Sequence, residues 1–132
     1  MAEKLATIQA WFHLADEKLD VAQKLFEMAY FDDATSRAYY AMFYAASAVL
    51  VSMDVEVKSH SGLAHQFSQH LIKTGRIDKE YGRMLALAMR AREISDYVIL
   101  TRISEADAAQ MLTNARAFVA AMKEFWFNQP IG

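Results

Sequence analysis

Apolar residues recur at three- and four-residue steps along nearly the whole chain, and no stretch alternates apolar with polar over a useful length. That period belongs to helices, and five segments separate. In the first, from about Glu3 to Tyr30, Leu5, Ile8, Phe12, Ala15, Leu19, Ala22, Phe26 and Ala29 form an unbroken seam for a neighbouring helix. Trp11, Leu14, Val21, Leu25 and Met28 widen it enough to meet a second partner. The second segment starts at Asp32 or Asp33, either of which can cap a helix, and runs to about Met53. Ala34, Ala38, Ala41, Ala45 and Ala48 line one side of it with small residues that let another helix approach closely. Tyr39, Tyr40, Met42, Phe43, Tyr44, Val49 and Leu50 fill the rest, so this helix is apolar all round and reads as the central one.

Past the loop "DVEVKS", a third helix is expected from about Ser61 to Lys73, capped by Ser59 or Ser61 and stopped by Gly75. Asp78 caps a fourth that reaches about Leu100. Ser104, with Asp107 three residues later, begins a fifth that ends near Phe127 in a capping-box-like start. Short connections make successive helices antiparallel. The expected fold is all-α, an up-and-down bundle of four to five antiparallel helices over residues 1–127, with 128–132 as a tail.

The 132 residues suit one domain. Hydrophobic residues make up 55% of them, and this surplus points to a subunit interface, hence a homodimer. Net charge is −2, with no block of like charges, so no large footprint for duplex DNA is expected. No cysteine is present, in keeping with a cytoplasmic location and without disulfides or thiolate metal sites. The start "MAEKLATIQAWFHLADEK" has no apolar signal core. The uncharged run from Ala38 to Met53 falls short of the ~20 residues of a membrane span.

Three stretches carry candidate chemistry. Arg37, Tyr40 and Tyr44 share one face of the second helix. Read as structure, the rings are core and the arginine snorkels, and the helix alone favours this. Read as a site, a cation beside ring faces can hold a phosphate and a base together. In "VKSHSGLAH", Lys58, Ser59 and His60 converge on a helix start, where free amides suit an anion. The structural alternative is that Ser59 caps and His60 is solvated. In "RAREISDY", Arg92 and Asp96 stand four apart, with Arg90 and Tyr97 two turns from one another. That is either an intrahelical ion pair of about 0.2–0.5 kcal/mol or an interior arginine oriented by an aspartate. His60, His65 and His70 step by five residues, about 140° each on a helix, and share no face, which argues against a metal site.

The stretches "SRAYYAMFYAA", "KSHSGLAHQFSQHLIKTGRI", "RAREISDY" and "SEADAAQMLTNARAFV", in this order, resemble the small stand-alone members of the HEPN family across roughly residues 10–122. The resemblance implies a helical bundle, often dimeric. It implies a small nucleotidyltransferase partner in toxin–antitoxin or related defence pairs. It also implies, for many members, metal-independent ribonuclease activity without a cofactor. The family's motif is an arginine, four to six residues, then a histidine, completed across a dimer; in some pairs a tyrosine just after that histidine is modified by the partner, which makes Tyr97 a candidate here. This chain departs from the motif. No arginine precedes a histidine at that spacing, and Arg90 or Arg92 is followed by Asp96 and Tyr97. An aspartate does not supply imidazole's acid–base behaviour near neutral pH.

Three readings follow. The first is a domain that binds nucleotide or RNA through Arg37, Tyr40, Tyr44, Lys58, Ser59, His60, Arg92, Asp96 and Tyr97, with a nucleotidyltransferase partner. The second is a divergent ribonuclease with His60 or His65 and Arg90 or Arg92 as candidate catalytic groups, Asp96 beside them. The third is a non-catalytic oligomerising module. Under the first, the second, third and fourth helices meet around a basic pocket.

Overall fold

The computed structural model describes residues 2–97, apart from the side chain of Tyr97, and residues 102–129. They form an all-α, up-and-down bundle: α1 (Ala2–Glu27), α2 (Phe31–Ser52), α3 (His60–Phe67), α4 (Lys79–Tyr97) and α5 (Glu105–Phe127). The last three residues of the expected fourth helix, 98–100, lie outside the described residues, as does the end of the expected tail from 130 on. No described helix is long and apolar enough to cross a membrane.

α2 is the axis of the bundle and packs against α1, α3, α4 and α5. Its alanine stripe is fully buried at all five positions. A side chain of one carbon keeps two helix backbones close, so the stripe works by what it lacks. Bulk comes from elsewhere. Phe67 and Phe118 meet as a tilted pair at 5.5 Å between α3 and α5, and Trp11 stacks on Tyr44 at 5.4 Å between α1 and α2. Phe12 meets Trp126 at 5.6 Å and joins α1 to α5. Each such pair adds about 0.5–1.5 kcal/mol beyond its buried area. The α1 seam buries Ile8, Phe12, Ala15 and Ala22, whereas Leu5, Met28 and Ala29 at its ends are exposed.

Helix boundaries correct the expectations at two places. α2 is capped by neither Asp32 nor Asp33; its N-cap is Tyr30, with no side-chain cap. The reason lies just upstream. α1 ends in a turn where the Tyr30 N–H donates to Leu25 O and the Ala29 N–H to Phe26 O, with Ala29 at φ 65°. This Schellman closure sets the chain's direction one residue too early for Asp32 to cap. Asp32 instead reaches across the bundle, accepting from Arg102 Nη1 at 2.9 Å and from the Ile103 N–H at 2.8 Å, just ahead of α5. The expected third helix is likewise not one uniform α-helix: α3 passes into a π-helical segment at Ser68–Ile72. There α4 comes close, and a Cβ on Gly82 would sit 3.1 Å from Ile72 Cγ1. Gly75 ends this segment at φ 74°, a conformation that favours glycine. The remaining caps are Ser59, which accepts from the Gly62 N–H at 2.9 Å, Asp78, which accepts from the Glu80 N–H at 2.8 Å, and Ser104, which accepts from the Asp107 N–H at 3.1 Å.

Candidate functional site

The side of α2 opposite the alanines carries Tyr39, Tyr40 and Phe43, and it faces the start of α3 and the second half of α4. His60, the first residue of α3, sits among those rings. Its imidazole lies 4.7 Å from Phe43, 5.6 Å from Tyr39 and 5.8 Å from Tyr40, centroid to centroid. The Tyr39 hydroxyl hydrogen-bonds His60 Nδ1 at 2.6 Å. Ser59 fixes the turn that delivers His60 there by capping α3.

From α4, Arg92 completes the cluster. Its guanidinium carbon lies 5.6 Å from the Tyr39 ring centre and 5.9 Å from that of Tyr40, within range of a cation–π attraction. The side chain is only 13% exposed. Its nearest carboxylate is Asp96, one turn on, at 3.6 Å from Nε, beyond a good hydrogen bond. Nε is buried and has no hydrogen-bond partner among the described residues. Thr35, one turn before Tyr39 on α2, likewise leaves Oγ1 buried without one.

The electrostatics follow from this packing. Burial pushes the Tyr39 phenol well above the ordinary tyrosine value, against an opposing pull from Arg92. Burial also holds His60 below the ordinary histidine value, and the Arg92 charge adds to that. Near pH 7 the cluster therefore holds a neutral phenol, a neutral imidazole and one guanidinium, with donors and ring faces side by side.

Of the residues singled out in the sequence, Tyr40, His60, Arg92 and Asp96 come together here, and Ser59 supports them as a cap. Tyr44 contacts Tyr40 at 6.2 Å but turns its stacking face to Trp11. Arg37, Lys58, His65 and Arg90 are exposed. Of the three cations from which a basic pocket was expected, Arg92 is the one packed on the Tyr39 and Tyr40 rings. Tyr97 closes α4, and its side chain lies outside the described residues. The sequence put Tyr39 on the apolar surface of the second helix, left open which ring does what, and did not include Tyr39 among the site candidates. The signal for its role was its four-residue offset from Thr35 and Phe43, which puts it on the face turned away from the alanines. No metal-binding group of three or more His, Asp or Glu side chains occurs among the described residues. His70, for one, is engaged with Gln66 at 3.0 Å. A cavity of about 590 Å³ opens elsewhere, between the Arg76–Tyr81 region and the end of α5. It contains none of these residues, mixes Arg76 with Asp78 and Glu124, and is lined also by Gln129, whose Nε2 is buried without a hydrogen-bond partner among the described residues.

With this geometry established, comparison with known proteins locates the chain. The HEPN domain profile matches residues 8–125. A protein from Methanocaldococcus jannaschii named as a putative toxin is 33% identical over 117 residues, 89% of this chain and 87% of its own length. A UPF0332 protein of Gloeobacter violaceus is 38% identical over 112 residues, covering 84% and 89%. Another, from Thermotoga maritima, is 32% identical over 124 residues, 94% of each chain. A bundle whose axis is the tyrosine helix, and a match over nearly its whole length, lead to one conclusion: the chain belongs to the HEPN domain family.

Proposed function

We propose that this HEPN protein binds a nucleotide or RNA through the cluster of Arg92, His60, Tyr39 and Tyr40, and works with a nucleotidyltransferase partner in a toxin-type two-component system. The observation that carries the reading is Arg92. Burying a guanidinium is costly unless its donors are satisfied, and here Nε finds no partner among the described residues while Asp96 stands off at 3.6 Å. A phosphate oxygen would satisfy it. The rings beneath the guanidinium and the adjacent imidazole supply what a base and a second phosphate contact need.

The names of two Methanocaldococcus jannaschii relatives as putative toxins support the system-level part of the reading. The nucleotidyltransferase partner follows from the family resemblance. A homodimer suits the 55% hydrophobic composition. A chain without cysteine suits the cytoplasm where such pairs act.

One observation favours a second reading, RNA cleavage without metal. His60 and Arg92 pack against the same two rings, Tyr39 and Tyr40, within a single chain, so an imidazole and a phosphate-stabilising cation share one cluster despite the missing arginine-to-histidine motif.

The test is a thermal-shift panel of nucleotides, with and without total RNA, on the wild-type protein and on Arg92→Ala. Saturable stabilisation by a nucleotide or RNA that weakens by about tenfold or more in the variant, the worth of a charge-assisted hydrogen bond, is the expected result. RNA cleavage that disappears in the variant would favour the second reading. Wild-type protein that neither binds nor cuts would leave the interaction module.

A further inference from the structure

Tyr39 is fully buried, and the hydroxyl of a buried tyrosine takes a hydrogen-bond partner. Its partner is His60 Nδ1 at 2.6 Å. Two arrangements fit that distance. If Nδ1 carried a proton, it would donate to the phenol oxygen, and the phenol's own hydrogen would be left without an acceptor among the described residues. If Nδ1 is bare, the Tyr39 O–H donates to it and both groups are satisfied. A bare Nδ1 on a neutral imidazole puts the ring proton on Nε2.

From this geometry we infer that Tyr39 is a positioning residue: it holds His60 as the neutral Nε2–H tautomer, so that His60 meets a phosphate oxygen beside Arg92 as a hydrogen-bond donor and not as a general base. The inference rests on the binding reading above for its ligand, and on Tyr39 and His60 alone for the tautomer. With Nδ1 engaged, Nε2–H is the hydrogen bond that His60 has left to offer.

The surroundings agree. The groups around the imidazole are Tyr39, Tyr40 and Phe43 from α2 and Arg92 from α4, whose charge is partly offset by Asp96. Among these described neighbours no carboxylate pairs with the imidazole and favours its charged form, and the one neighbouring cation opposes it. Burial keeps the phenol protonated, so the donor that selects the tautomer persists across the neutral range. Cleavage through His60 as a base would need the ring to exchange Nε2–H for Nδ1–H and break the Tyr39 contact first.

The experiment is a set of two-bond proton–nitrogen correlation spectra on protein carrying ¹⁵N-histidine, titrated through the acidic and neutral range, with His60 assigned by its loss in His60→Gln. Wild-type spectra should show Nε2 protonated and Nδ1 bare. In Tyr39→Phe the tautomers should mix, and the His60 midpoint should move upward, because the donor that favoured the neutral ring is gone. Nδ1 protonated in the wild type overturns the inference, as does an unchanged tautomer and midpoint in the variant. If Tyr39→Phe fails to fold, the wild-type spectrum decides the tautomer by itself. Adenosine monophosphate and a short adenine-only RNA are then added to the wild-type protein. A shift of the His60 Nε2–H signal supports the donor role. No response to either at high concentration overturns that role and the binding reading, and leaves the tautomer standing.

Discussion

The two faces of α2 solve opposite problems. One face is five alanines, all fully buried, with no polar side-chain atom to satisfy. The other carries Tyr39, Tyr40 and Phe43, and around them gather a half-buried histidine, a mostly buried arginine and two polar atoms without partners among the described residues. The alanine face is closed chemistry: everything it offers is used in packing. The tyrosine face costs stability, since an unpaired buried donor is worth about 1–3 kcal/mol lost. A bundle that needed only to fold would have little reason to keep such a face. That difference is why the proposed ligand site is assigned to the tyrosine side of α2.

The largest effect is expected from breaking the packing face. Ala45→Leu forces three extra carbon atoms between helices that approach over a methyl group, and should cost about 1–3 kcal/mol. Chemical denaturation should show the loss, and binding should fall only as far as the folded fraction falls. A binding defect in fully folded Ala45→Leu protein would mean that the two faces are not separable.

Ala29→Gly sharpens the comparison from the other direction. Ala29 holds φ 65° between α1 and α2, and relieving that conformation should raise stability by about 1 kcal/mol. The site should be untouched. The melting temperature should rise with no change in nucleotide affinity.

The smallest effect is expected from pH, and it acts on the tyrosine face. The folded state holds His60 below the ordinary histidine value, which is about 6.5 when unfolded. As pH falls through that value the unfolded chain takes up the proton first, so unfolding is favoured. Stability due to His60 is therefore fully present above about pH 6.5 and declines on acidification towards the folded midpoint. His60→Gln should flatten this part of the stability profile; an unaltered profile would assign the slope to other groups.

Much of the fold was legible in the sequence because helix period, small-residue stripes and caps are local. Ser59, Asp78, Gly75 and Ser104 mark ends where a short-range pattern could be read directly. Asp32 and Asp33 misled because Ala29, with no outward sign of a left-handed turn, had already redirected the chain, and because the true partners of Asp32 stand some 70 residues away at Arg102 and Ile103. The π-helical segment at Ser68–Ile72 was not legible either, since it breaks the very period used to find helices.

The site was legible as a list and not as an arrangement. His60 and Arg92 stood out by residue type, and so did Arg37 and Lys58; nothing local separates an exposed arginine from a buried one. Three tyrosines lay within six positions, and a rotation of about 100° per residue decides which ring meets Trp11 and which meets His60. Only the packing of α1, α3 and α4 around α2 resolves that choice.

The central claim is that Arg92 is kept for a ligand and not for the fold. The most direct test is Arg92→Met, measured for unfolding stability and for nucleotide or RNA affinity on the same preparation. Replacing a poorly paired buried charge by an apolar side chain of similar length is often neutral or stabilising. The account predicts a melting temperature equal to or above that of the wild type, together with loss of binding. A strongly destabilised variant whose folded fraction binds as well as the wild type would contradict it.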